Sequence, residues 1–143
     1  MIRSIKPHDK HQWQKLFNDY AQSSNTEVSD TDINNVWEWL INDSHAYNCF
    51  VYVLEDKLVA FAHYMKMPHA LSGKDVGFLD DLYVDPDYRG VRIGEKLLSR
   101  LKQTANDNDW DFIRWISRQN NTSANKLYQR VAEKTTWDTY ELK

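Results

Sequence analysis

Residues 79–98 read Leu79-Asp80-Asp81-Leu82-Tyr83-Val84-Asp85-Pro86-Asp87-Tyr88-Arg89-Gly90-Val91-Arg92-Ile93-Gly94-Glu95-Lys96-Leu97-Leu98. The run predicts an apolar strand that ends at Asp85-Pro86, a loop rich in arginine and glycine, and then an amphipathic helix. The start of a helix offers free backbone N–H groups and the positive end of the helix dipole, which together bind anions. Gly90 and Gly94 let the main chain approach a pyrophosphate closely, and Arg89 and Arg92 supply charged donors. The run therefore predicts a site for a nucleotide-like ligand.

The composition is typical of one folded domain spanning residues 1–143, with 41% hydrophobic and 13% aromatic residues. There are 18 Lys and Arg against 21 Asp and Glu, and the net charge of -3 argues against non-specific binding to nucleic acid. The apolar runs are too short to cross a bilayer, and no signal-peptide apolar region follows the first residues. We expect a cytoplasmic protein without a membrane partner.

The reactive side chains outside this run point to no metal or redox chemistry. The single cysteine, Cys49, cannot form an internal disulfide, and its place at the start of an apolar strand predicts a buried packing residue. The histidines are scattered without the spacing of a metal site, so we expect no bound metal.

Hydrophobic periodicity predicts an α/β domain in which strands and helices interleave. The strands are expected at 2–5, 48–54, 57–65, 76–84, 110–116 and 136–142. The helices are expected at 13–20, 30–41, 93–105 and 121–131, with Asp30 or Thr31 capping the second and Asn121 or Thr122 the last. Glu55-Asp56 is read as a hairpin turn, and residues 68–73 as a loop because they contain Pro, Ser and Gly.

A second motif, Asn121-Thr122-Ser123-Ala124-Asn125-Lys126-Leu127-Tyr128, follows the strand after the anion-binding helix. In open α/β sheets, ligands gather at the carboxyl ends of strands, where both motifs lie. Together they resemble the GNAT superfamily of N-acetyltransferases: residues 89–94 look like its Arg/Gln-x-x-Gly-x-Gly/Ala loop, and residues 121–128 like its Asn-x-x-Ala-x-x-x-Tyr motif. Residues 78–84 and 88–90 look most like the diamine and polyamine acetyltransferases and the small Hpa-type enzymes.

The resemblance implies a fold and a reaction. The fold is a central mixed, mostly antiparallel sheet flanked by helices. The reaction transfers the acetyl group of acetyl-CoA, as co-substrate, to a primary amine, expected on a small molecule such as a diamine, polyamine or amino acid. The residues expected to contact the co-substrate are Leu82, Tyr83, Val84, Arg89, Gly90, Val91, Arg92, Ile93, Gly94, Glu95, Asn121, Ser123 and Tyr128.

Direct attack by an amine requires a base, because an ammonium cannot attack a thioester. Asp80 and Asp81 are the candidates, and neighbouring residues on a strand point to opposite faces, so only one is expected to face the acetyl group. Asp80 is favoured because the matching family position is usually Glu, and the shorter Asp implies a relaying water. The alternative for both is a structural salt bridge or a solvated pair.

Tyr128 is the candidate acid that protonates the departing thiolate; the alternative is a core aromatic on the apolar stripe of the last helix. Backbone N–H groups of Leu82, Tyr83 or Val84 are expected to hold the pantetheine arm and the developing oxyanion. His63 and His69 are candidates for lining the acceptor pocket. The family usually has glycine where this chain has Arg92, and we expect a helix-like φ angle to accommodate the arginine there.

Two other classes of function stay open at this point. One is a non-catalytic module that senses acyl-CoA with the same loop. The other is an enzyme that acetylates macromolecules, such as lysines or N-termini of histone-like or ribosomal proteins, or aminoacyl-tRNA, although the chain shows no basic face for tRNA. The edge near Trp137 to Leu142 is expected to pair with a second copy, giving a homodimer.

Overall fold

The computed structural model describes residues 1–143 and contains one sheet with helices on both faces. The sheet has five strands in the order β1-β2-β3-β4-β5. These are β1 Ile2–Ser4, β2 Tyr47–Leu54, β3 Lys57–His69, β4 Lys74–Val84 and β5 Ile113–Arg114. The helices are α1 Lys10–Ser23, α2 Asp30–Ile41, α3 Ile93–Asp107 and α4 Thr122–Val131. Successive strands from β1 to β4 pair antiparallel and β4 pairs parallel with β5, which confirms the predicted mixed, mostly antiparallel sheet.

Helices α1 and α2 cover one face of the sheet. Trp13 and Phe17 of α1 are buried against Phe61 of β3, in a cluster that also contains Cys49, which is free and buried as expected. Burial raises the pKa of the Cys49 thiol, as expected for an inert packing residue. The N-cap of α2 is Ser29, not Asp30 or Thr31, because Ser29 and Asp32 form a reciprocal capping box.

Helix α3 covers the other face. Its apolar stripe, which includes Ile93, Leu97 and Leu101, packs in a cluster with Ala60 and Ala62 of β3. Small side chains in the central strand let the helix axis approach the sheet closely. This packing fixes the start of α3 at the carboxyl end of β4, where the predicted anion site lies. No helix in the structure has the length and apolar character needed to cross a membrane.

The hairpin between β3 and β4 is longer than the sequence predicted. Pro68, read as part of a loop, lies within β3 and is opposite Asp75 of β4. The proline is tolerated because β2 pairs with β3 only as far as Met65, so beyond that point β3 needs no donor on its β2 side.

The predicted closing strand at 136–142 is wrong. Residues 132–143 contain no strand, and Trp137 is 71% exposed and Tyr140 89% exposed. The preceding strand is also shorter than predicted, since β5 comprises only Ile113 and Arg114 rather than 110–116. So short a ladder offers few groups with which a further strand could pair.

Candidate active site

The loop before α3 presents a row of unused backbone donors. The first hydrogen bond of α3 runs from the N–H of Lys96 to the carbonyl of Arg92, at 3.0 Å. The N–H groups of residues 90–95 donate to no acceptor in the protein. Together with the helix dipole, they form a site whose donors suit a diphosphate such as that of coenzyme A.

Arg92 differs from expectation. Its φ of 64° and ψ of 26° are left-handed, not helix-like. A β-carbon in this region costs about 1–2 kcal/mol, which glycine would avoid. Gly90 also has a positive φ angle, of 87°. Two residues of the loop therefore have left-handed backbone angles, and only one of them is a glycine.

The arginines of the loop flank the free donors. The Arg89 Nε donates to the carbonyl of Val84 at 3.0 Å, and its guanidinium lies 5.5 Å from the centre of the Tyr83 ring. Arg92 Nη1 lies 3.9 Å from Glu95 Oε2, an exposed and weak ion pair. Arg130 of α4, which the sequence did not single out, donates to the same Glu95 oxygen at 2.8 Å and ties α4 to the start of α3.

Strands β4 and β5 separate just before the site. They are paired only at Gly77 and Phe78, so β4 has no neighbour on this side from Leu79 onward. A β-carbon on Gly77 would lie 2.8 Å from Ile113 and 2.9 Å from Trp110, so glycine is required where the two strands meet. The carboxyl half of β4 thus forms one wall of an open cleft.

The backbone of β4 offers two of the three N–H groups expected to face this cleft. Asp85 donates to the carbonyl of Val59 in β3 at 2.8 Å. Because donors alternate along an antiparallel strand, the N–H of Tyr83 also points to β3, opposite Phe61, while those of Leu82 and Val84 point into the cleft. The expectation that the Tyr83 N–H faces the co-substrate is therefore wrong, because this N–H points to β3.

Asp80 and Asp81 do not lie on opposite faces, and that prediction is wrong. His63 is opposite Asp81 and Tyr64 is opposite Leu79, which leaves Asp80 as the extra residue of a β-bulge. The bulge turns both carboxylates toward Tyr47, whose hydroxyl is 2.6 Å from Asp80 Oδ2 and 3.4 Å from Asp81 Oδ2. Bulges re-aim side chains in this way, and no periodicity in the sequence reveals them.

The two carboxylates differ in surroundings. Asp81 is half-buried and receives the hydroxyl of Tyr20 on Oδ1 at 2.6 Å, with His63 Nδ1 2.8 Å from Oδ2. Burial alone would raise the pKa of Asp81, but the hydrogen bonds from His63, Tyr20 and Tyr47 outweigh it and hold that pKa below its ordinary value. Asp80 is exposed, so of the two carboxylates it is the one open to solvent.

Tyr20 and Tyr47 are the partners that the sequence reasoning missed. Burial, with the nearby carboxylates, raises the pKa of both hydroxyls, so both remain proton donors at neutral pH. Tyr20 is the last residue of the helix expected at 13–20, and Tyr47 lies one residue before the strand expected at 48–54. The available signal was the odd polar pattern of the hairpin, in which His63 interrupts an apolar run.

Tyr128 lies on α4 with its ring against Trp115, at 5.2 Å between ring centres. Burial raises the pKa of its hydroxyl, which makes no hydrogen bond with the protein. A half-buried ring with a free hydroxyl combines the packing role and the role of proton donor, so both readings remain consistent with its position.

Asn121 and Ser123 are exposed at the start of α4. Asn121 precedes the helix without a capping hydrogen bond from its side chain. The residue that orders this connection is Asn125, whose Nδ2 donates to the carbonyls of Arg118 and Gln119 at 3.1 Å. The exposed Asn121 and Ser123 side chains remain predicted co-substrate contacts.

Neither histidine proposed for the acceptor pocket lies in it. His63 is fully buried beneath Asp81. His69 lies six residues further along β3, roughly 20 Å away at the rise of a strand, and packs against Phe112. Both predictions are wrong, because His63 is buried within β3 and His69 lies too far along β3 from the carboxylates.

Comparisons with known proteins agree with this geometry. The Acetyltransferase (GNAT) family matches residues 11–132. The D-amino-acid N-acetyltransferase HPA3 of Saccharomyces cerevisiae is 25% identical over 94% of this chain and 85% of its own length. It is a member of the Hpa-type group that the sequence indicated.

Solved structures show the same fold. The ribosomal-protein-alanine N-acetyltransferase from Brucella melitensis biovar Abortus superposes with a TM-score of 0.84 at 24% identity, covering 100% of this chain and 99% of the other. The aminoglycoside N-acetyltransferase AAC(6')-Iy, solved in complex with CoA, gives 0.83 at 18% identity, covering 100% and 93%. With a family match over most of its length, a characteristic anion-binding loop and a shared fold, the chain belongs to the GNAT acetyltransferase family and is an acetyl-CoA-dependent N-acetyltransferase.

Proposed function

We propose that the acceptor is the primary amine of a small molecule, such as a diamine, a polyamine or an amino acid. The observation that carries this proposal is the pair of carboxylates, Asp80 and Asp81, on the wall of the cleft. No Lys or Arg lies within ion-pair distance of either carboxylate. Two adjacent negative charges without a cation attract an ammonium group and disfavour an anionic acceptor.

The names of relatives support a small acceptor. The HPA3 relative acts on D-amino acids, and AAC(6')-Iy is an aminoglycoside N-acetyltransferase. Both names describe small molecules that carry amines.

The co-substrate fits the donors of the loop. The N–H groups of residues 90–95, with Arg89 and Arg92, would hold the diphosphate, and those of Leu82 and Val84 would hold the pantetheine arm. Acetyl-CoA supplies the thioester that is attacked. Asn121 and Ser123 are proposed as further contacts at the mouth of the cleft.

We assign the proton transfers to Asp80 and Tyr128. Asp80 is the reachable carboxylate and takes a proton from the acceptor's ammonium, directly or through a water. The neutral amine then attacks the thioester carbon and forms the C–N bond, and the C–S bond breaks as the Tyr128 hydroxyl protonates the departing sulfur. The nitrogen loses its second proton to solvent, and the Tyr128 phenolate regains a proton from solvent. Asp81, half-buried and already receiving Tyr20 and His63, contributes negative charge rather than a route for the proton.

The experiment is an acetyl-CoA consumption screen read as released thiol. The acceptors are polyamines, D- and L-amino acids, aminoglycosides and lysine peptides, each with an N-acetylated counterpart as the matched control. We expect release with small amines and none with their acetylated forms. Turnover confined to peptides would replace this proposal with protein acetylation, and coenzyme A binding without any turnover would replace it with an acyl-CoA sensor.

We propose in addition that a second copy of the chain covers residues 132–143. Trp137, Tyr140 and Leu142 are largely exposed there. The adjoining groove between α3, β5 and α4 has a volume of about 410 Å³ and apolar walls that include Leu98 and Trp110. An open β5 edge beside this groove suits an extended segment from a partner molecule.

A further inference from the structure

A chain of hydrogen bonds runs through the apolar core from α1 to the carboxylates. The indole Nε1 of Trp13 is 3.0 Å from His63 Nε2, and His63 Nδ1 is 2.8 Å from Asp81 Oδ2. Trp13 and His63 are both 0% exposed. Burying these polar atoms is costly unless each finds a partner, and here every one does.

The tryptophan fixes the protonation of the histidine. An indole N–H can only donate, so His63 Nε2 must accept and carries no proton. The proton of the neutral imidazole is therefore on Nδ1 and is donated to Asp81. A doubly protonated His63 would direct an N–H at the indole N–H, which the geometry forbids.

The hydrogen bond from His63 in turn determines which carboxylate each tyrosine hydroxyl contacts. Asp81 Oδ2 receives His63 and Oδ1 receives Tyr20 at 2.6 Å. Tyr47 has a single hydroxyl proton and is closer to Asp80, at 2.6 Å, than to Asp81, at 3.4 Å. The proton of Tyr47 is thereby left for Asp80, the carboxylate open to the acceptor.

We propose that Trp13 and His63 are positioning residues for acetyl transfer, which hold Asp81 as an anion and so direct the Tyr47 hydroxyl to Asp80. The inference rests on the proposed role of Asp80 as the base. It explains why a polar imidazole occupies a site in β3 between the ring of Phe61 and the indole of Trp13, where an apolar side chain would fill the space.

The titratable side chains that face Asp81 come from α1, β2, β3 and β4. They are Tyr20 on α1, Tyr47 and Cys49 on β2, His63 on β3, and Asp80 on β4. None of them is a Lys or an Arg. The hydrogen bonds of His63 and the tyrosines therefore outweigh burial and keep the pKa of this carboxylate low.

The first test compares His63→Leu with His63→Asn. Leucine fills the space without a donor, whereas the asparagine Nδ2 lies near the position of the imidazole Nδ1 and can still donate to Asp81. The His63→Leu variant loses the hydrogen bond that His63 donates to the charged Asp81 carboxylate. We therefore expect the acid limb of its kcat/KM profile to move up by roughly one to two pH units. The His63→Asn profile should lie close to that of the unaltered enzyme. Identical profiles for His63→Leu and the unaltered enzyme would overturn the proposal.

The second test needs no acetylation and no change at His63. Two-bond ¹H–¹⁵N spectra of the unaltered protein should show His63 as the Nδ1–H tautomer, with no proton on Nε2. Trp13→Phe keeps an aromatic ring but removes the donor that occupies Nε2, so a protonated Nε2 should become detectable in this variant. A His63 that carries a proton on Nε2 in the unaltered protein would overturn the proposal. If no acceptor were found, this spectrum would still decide the inference independently of the proposed function.

Discussion

Asp80 and Asp81 are identical side chains one bond apart in the sequence, and the fold gives them different environments. Asp81 receives two short hydrogen bonds and is half-buried, while Asp80 receives one and is exposed. Pairs of carboxylates separated in this way divide the work of a site, since one stays ionised and structural while the other exchanges protons with substrate. The difference in environment results from a single extra residue in β4.

Asp80→Asn should lower kcat/KM by about 10²- to 10⁴-fold, the range expected for loss of a general base. Tyr128→Phe should lower it through the opposite proton transfer, with loss of the basic limb of the pH profile rather than the acid limb. Steady-state kinetics with the best acceptor from the screen measure both. Asp75→Asn, at the far end of β4 in an exposed ion pair with Lys66, is the matched control and should retain activity. Unchanged kinetics in Asp80→Asn would reassign the base.

Arg92→Gly should separate stability from binding. Glycine removes the strain of the left-handed backbone, so the free energy of unfolding should rise by about 1 kcal/mol. Loss of the guanidinium should at the same time weaken coenzyme A binding, measured by calorimetry. Arg92→Ala is the control, because it loses the charge but keeps the strain: its binding should weaken equally without a gain in stability. A less stable Arg92→Gly would show that the loop is not strained at this residue.

At the level of elements, hydrophobic periodicity was sufficient to predict a helix such as α3. It did not reveal the local backbone geometry within the strands and loops. The stripe of Ile93, Leu97 and Leu101 placed α3 correctly, and the start of α3 with it. The bulge at Asp80 and the left-handed angle at Arg92 depend on the neighbouring strand and loop, so no residue pattern within either segment could reveal them. The closing strand failed for a related reason, since a strand needs a partner and β5 offers little.

The turn between β2 and β3 is a second strained connection. Glu55 and Asp56 have φ angles of 48° and 64°, the left-handed pair of a hairpin that favours Asn-Gly. Replacing both, as Glu55→Asn with Asp56→Gly, should raise the free energy of unfolding by about 1–2 kcal/mol, measured by urea titration. The control Glu55→Ala with Asp56→Ala removes the same charges but keeps both β-carbons and should give no gain. An equal gain in both variants would attribute the effect to charge.

At the scale of the whole molecule, the segment that follows α4 presents an exposed apolar surface. Its aromatic and aliphatic side chains are exposed, and the adjoining groove is apolar. Large apolar patches are uncommon on monomers and typically mark contacts with another molecule.

We expect sedimentation at micromolar concentration to give twice the chain mass of 17.0 kDa. Trp137→Ser with Leu142→Ser should raise the dissociation constant of the dimer, because both apolar contacts are lost. Leu71→Ser, in the exposed turn between β3 and β4, removes an equally accessible apolar side chain elsewhere and should leave the dimer intact. A monomer in the unaltered protein would contradict the predicted homodimer.

The free N–H groups of residues 90–95 belong to the main chain, and that has an evolutionary consequence. Side chains in this loop can be exchanged, except for proline, without deleting a backbone donor, provided the backbone path survives. The proposed recognition of the acceptor depends instead on side chains such as Asp80, which a single substitution can change. The two halves of the reaction are therefore free to diverge at different rates, so a lineage built on this scaffold can acquire new acceptors while the acetyl donor stays the same.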